Sequence, residues 1–86
     1  MTDYYRDSEL GRRAGELQLS LEPYFDAIEE RLYMKFKTAP IRDEEGMVLL
    51  RLQHHALGLL KQELETVITT GKFADVKLSE EENSNA

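Results

Sequence analysis

One ten-residue stretch constrains the fold more than any other: KTAPIRDEEG, residues 37–46. Pro40 disfavours the α region at Ala39, so a helix arriving from the N-terminal side stops there. Asp43 then offers a short carboxylate to the free N–H groups of a new helix. Glu44 and Glu45 place negative charge in its first turn, where the macrodipole favours it. The segments flanking this break carry helical periodicity and match in length. Before it, Leu10, Ala14, Leu17, Leu21, Phe25, Ile28, Leu32 and Phe36 follow steps of 4, 3, 4, 4, 3, 4 and 4. That is one stripe kept in phase over the whole segment. After it, Leu50, Leu57, Leu60, Leu64 and Val67 form a second stripe. Each segment would span about 40 Å at 1.5 Å per residue. A turn this short makes them antiparallel neighbours. The expected fold is all-α, an antiparallel helical hairpin with helices over about 7–37 and 44–70.

Pro23 lies inside the first stripe. Two readings stand side by side: a kinked continuous helix, because the stripe keeps its phase, or a tight break with Ser20 as the cap of a second helix. At the ends, residues 1–6 read as flexible, with Asp7 or Ser8 capping the first helix. Gly71 reads as the left-handed residue that closes the second. Phe73 and Ala74 would fold back on its last turn. The hairpin domain is thus expected over 7–77, and residues 78–86, LSEEENSNA, read as a disordered acidic tail.

A chain of 86 residues has a marginal core and often leans on disulfides, metals or partner subunits. With no cysteine, disulfides and cysteine-based zinc sites are excluded. The net charge of −6 is spread along the chain, which argues against binding a nucleic-acid backbone. No stretch has the apolar length of a membrane span, and the opening MTDYYRDSEL does not read as a signal peptide.

The second segment is apolar on more sides than one neighbour can cover, because Met47, Leu49, Leu52, Ala56 and Leu59 lie beside and behind its stripe. A helix of that kind is normally buried on several sides. Two helices have no third layer to offer, so self-association into a bundle is expected, simplest as a dimer of hairpins. Ile28, Leu32 and Phe36 would form the seam with Leu50, Leu57, Leu60 and Leu64. Leu49, Leu52, His55 and Leu59 would serve the outer interface.

His54 and His55 sit inside the leucine-rich run LRLQHHALGLL. Adjacent helical positions point about 100° apart, so the pair does not make a metal site on one helix. The expectation is one histidine in a helix–helix seam and the other at its edge, with a pH-sensitive or metal-bridged interface as the alternative. No serine stands beside a base, no carboxylate pair has a cleft, and no glycine-rich loop could cradle phosphate. Catalytic, cofactor and metal roles are therefore not expected. Gly58 would allow close helix approach.

The stretch from Ile28 to Ala74 resembles a set of small helical proteins of tailed bacteriophages. The matching elements are Thr38-Ala39-Pro40, Arg42-Asp43, Glu45-Gly46, Leu49-Leu50, Val67-Ile68, Thr70-Gly71-Lys72 and Ala74, with Phe36 as the aromatic before the loop. The stretch covers a little over half the chain, and its matching elements are mostly caps, turns and apolar positions. The histidine pair is not part of the pattern. The resemblance implies a non-enzymatic phage protein acting in virion assembly or as a minor virion component, in the bacterial host cytoplasm or the particle. Its partners would be copies of itself and a phage structural or host protein, with neither nucleic acid nor membrane. The alternative is an acidic host-directed inhibitor of a nucleic-acid-handling or defence protein, its surface built from Glu16, Asp26, Glu30, Glu63 and Glu65.

Overall fold

A computed structural model describes residues 3–84. It is an antiparallel α-helical hairpin: α1 spans Tyr4–Thr38 and α2 spans Glu44–Ser84. Among the described residues there is no strand. The short loop between the helices holds Pro40 and Asp43, as the sequence implies. Asp43 caps α2. The Gly46 N–H donates to Asp43 Oδ1 at 2.9 Å, and the Met47 N–H donates to the Asp43 carbonyl at 3.1 Å. Removing the carboxylate leaves the Gly46 N–H without its partner, while the backbone bond from Met47 stays. Asp43→Ala is expected to lower unfolding stability by about 1 kcal/mol, read from the urea midpoint.

Three boundary expectations need correction. The cap of α1 is Asp3, not Asp7 or Ser8: its Oδ1 accepts from the Arg6 N–H at 3.0 Å. Tyr4–Arg6 are therefore helical, not flexible. At Pro23, where a kinked continuous helix and a tight break stood side by side, α1 is continuous. Gly71 does not end α2, which continues for three further turns and more to Ser84. No described glycine has a positive φ, so the left-handed closing residue is absent. The stretch 78–84 is helical rather than a disordered tail: Lys77 pairs with Glu80 at 3.3 Å, Leu78 is half-buried, and Ser84 Oγ donates to the Glu80 carbonyl at 2.9 Å. Residues 1 and 2 of the expected flexible start, and 85 and 86 of the expected tail, lie outside the described residues.

The hairpin divides into two compact units. The terminal unit joins residues 3–20 of α1 to 62–84 of α2. Its core is built from small residues: Gly11, Ala14, Gly71 and Ala74 are buried, Ala74 completely. Here the backbones meet. A Cβ on Gly71 would stand 2.7 Å from Gly11 Cα and 3.0 Å from the Asp7 carbonyl oxygen; one on Gly11 would stand 2.6 Å from Gly71 Cα. The two glycines are thus the contact itself. Ser8 donates to Asp75 and Gln18 Nε2 donates to Glu65 Oε1 at 2.6 Å, so polar pairs join the helices on both sides of the glycines. Tyr4 meets Phe73 edge-on, ring centroids 6.2 Å apart, which corrects the expectation that Phe73 folds onto its own helix. On the α1 surface Arg12 and Arg13 both donate to Glu9, and Arg12 also to Glu16. Hydrogen bonds from Arg12 and then Arg13 hold the Glu9 carboxyl below the usual carboxylate range.

The loop unit is Leu21–Lys61. Phe25, Leu32 and Leu57 are its buried apolar side chains, with Leu21, Met47 and Leu50 half-buried. Lys61 donates to Glu29 across the helices, and its Nζ lies 5.6 Å from the centroid of the Phe25 ring. A lysine at that position covers the aromatic with its stem while its charge is held by the carboxylate.

Candidate interaction surface

Few apolar side chains are covered. The buried ones are Ala14, Phe25, Leu32, Leu57 and Ala74. Leu49, Leu52 and Leu59, expected on an outer interface, are all exposed, Leu52 by 60%. Of the seam residues expected from the sequence, Leu32 and Leu57 are buried and Leu50 and Leu64 half-buried. Ile28, Phe36 and Leu60 are exposed instead. Ile28 and Leu60 correct the expectation because each stands about one position off the inward-facing row, and 3.6 residues per turn rotates it to the flank. Gly58 has open space where a Cβ would go, so close helix approach lies at Gly11 and Gly71 rather than there.

In the terminal unit a shallow depression of 130 Å³ runs between Leu10 on α1 and Val67 on α2, edged by Asp7, Thr66 and Thr70. The loop unit carries a larger groove of 530 Å³. Helix α1 supplies Leu32, Phe36, Tyr33 and Glu29 to it. Helix α2 supplies Leu50, Arg51, His54 and His55. Both histidines are exposed and both border this one groove, which corrects the expectation of one in the seam and one at its edge. A groove this wide accepts side chains that leave their helix about 100° apart. No group of three or more potential metal ligands occurs among the described residues. Glu29 is engaged by Lys61, whereas Arg51, His54 and His55 make neither hydrogen bond nor ion pair among the described residues. The groove is therefore an apolar floor with a nitrogen-rich wall. Arg51 and the groove as a unit were not legible in the sequence as a site. Their signal is the i, i+3, i+4 spacing of Arg51, His54 and His55 along one helix.

No helix among the described residues is long and apolar enough to cross a membrane. No protein-family model matches the chain, and no curated protein or solved structure matches it.

Proposed function

We propose that this chain is a non-enzymatic interaction module that works by associating with copies of itself. The observation that carries the reading is the mismatch between a handful of buried apolar side chains and the row of exposed ones, Val48, Leu49, Leu52, Leu59 and Leu60 among them. Apolar surface of this extent on a two-helix chain marks an interface. A polar-rimmed apolar surface supplies binding energy through exclusion of water and needs no catalytic group. The resemblance of residues 28–74 to small helical proteins of tailed phages supports a role in particle assembly or as a minor virion component.

Sedimentation and light scattering at micromolar concentration test the reading. The expected result is a mass of two or more copies. Leu52→Ser with Leu59→Ser is expected to weaken association by about tenfold or more while helicity stays the same. A monodisperse monomer at these concentrations would sink the proposal. Recovery of a salt-released nucleic-acid-handling host protein by a monomeric chain would instead favour the inhibitor alternative.

A further inference from the structure

We infer that the groove of the loop unit receives the turn at Pro40 and Ile41 of a second copy, and that two copies exchange these turns to form a closed dimer. This rests on the self-association reading above and names the contact. Of the large apolar side chains described, Ile41 is the most exposed, at 100%, and Pro40 beside it is exposed as well. Single exposed apolar residues are ordinary on a protein surface. Two features set this one apart.

The first is that the turn carrying it is pinned. The Asp43 N–H donates to the Pro40 carbonyl at 3.1 Å, and Asp43 caps α2. Where α1 ends, Thr38 Oγ1 donates to the Met34 carbonyl at 2.9 Å. Proline fixes its own φ in addition. A turn held in this way loses little freedom on binding, so most of the gain from burying Ile41 is kept. The second feature is a hole on the same unit. The groove has a volume of 530 Å³ and is lined in part by Leu32, Phe36 and Leu50. Pockets of about 300–1,000 Å³ seat an apolar group among a few polar ones.

Ile41 does not fill the groove of its own copy, because its side chain is fully exposed. Nor can the turn fold back to do so. Leu50 lies six residues beyond Glu44, about 9 Å along the axis of α2. Residues 39–43 are too few to cover that distance without unwinding a capped helix. A second copy meets no such limit. Turn and groove lie at the same end of the loop unit, so two copies related by a two-fold axis across that end each offer one turn and accept the other. The contact is isologous and closes at two copies. Charge does not select against it. The turn carries Arg42 with Asp43 and Glu44, and the groove edge carries Arg51 with Glu29, so both surfaces mix signs. Shape and apolarity make the match.

The chain has no cysteine, so single cysteines placed in the full chain report the contact cleanly. A disulfide needs Cα atoms within about 7 Å. Ile41→Cys is mixed in equal amounts with Arg51→Cys or with His54→Cys and oxidised mildly. All three positions are exposed, so circular dichroism should match the wild type. The expected product is a linked pair with one copy of each variant. It should form at least about tenfold faster than the pair of Ile41→Cys with Leu19→Cys, an exposed position of the terminal unit. In a Leu52→Ser, Leu59→Ser background, which blunts the outer face of α2, Ile41→Ser should weaken dimerisation by about tenfold per turn, or about a hundredfold for the two turns lost. If a self-associating wild type links no faster at either groove position than at Leu19, or if Ile41→Ser leaves dimerisation unchanged, the exchange of turns is overturned and self-association stands. A monomeric wild type overturns both.

Discussion

Gly71→Ala is expected to destabilise the hairpin by about 1–2 kcal/mol, even though alanine is the better helix former by about 1 kcal/mol. The new Cβ would come within 2.7 Å of Gly11 Cα. That is backbone on a facing helix, and no rotamer change can relieve it. The helices must separate, and separation uncovers Ala14 and Ala74 together. Overpacking of this kind costs about 1–3 kcal/mol and more for larger groups, so Gly71→Val is expected to lose about 3 kcal/mol or more. Gly58→Ala is the internal control. It lies in the same helix with open space at its Cβ, and should stabilise by about 0.5–1 kcal/mol. Urea midpoints at one fixed protein concentration give the comparison, since association couples to stability. If Gly71→Ala and Gly58→Ala shift the midpoint in the same direction, the backbone contact does not control the packing of the terminal unit.

In the loop unit the largest effect is expected at Leu57. It is buried among a sparse set of apolar side chains, with Phe25 and Leu32. Leu57→Ala removes three side-chain carbons, a methine and two methyls, and leaves a hole in a core that has few other side chains to fill it. A loss of about 3 kcal/mol is expected. Leu59→Ala, two positions on and half exposed, removes the same atoms from open surface. Its unfolding stability should shift by about 0.5 kcal/mol or less when measured below the association range. The pair separates residues that hold the hairpin from residues that act on its outside. Equal losses at both positions would mean that the exposed leucines are already covered in solution by another part of the same chain.

How much of this was legible depends on whether a signal is local. The loop and the cap of α2 are local: Pro40, Asp43 and the two glutamates act within a few residues, and they were read correctly. Gly71 was not. A glycine that closes a helix and one that faces another backbone look alike in a single stretch of sequence. They differ in φ and in what lies across from them. The missing clue was a pairing at a distance: Gly11 and Gly71 each stand 30 residues from Ile41 in the loop, so folding the chain there brings them opposite. The tail was misread for a related reason. Its composition has little to bury, but one half-buried leucine and a local ion pair extend a helix whose earlier turns are already fixed. The groove was invisible because its walls come from both helices, and Glu29, Tyr33 and Arg51 carry no spacing that announces them together.

The division into two units also bears on the order of events during folding. The loop unit is continuous in sequence, so its helices can meet as soon as the short turn closes. The terminal unit joins segments from opposite ends of the chain, and 60 residues separate Gly11 from Gly71. Its ends are brought together most cheaply after the loop unit has formed, because the closure entropy then falls on far fewer free residues. The glycine crossing would accordingly be made late, after the rate-limiting step. Gly71→Ala should therefore speed unfolding and leave the refolding rate nearly unchanged, whereas Leu57→Ala should slow refolding.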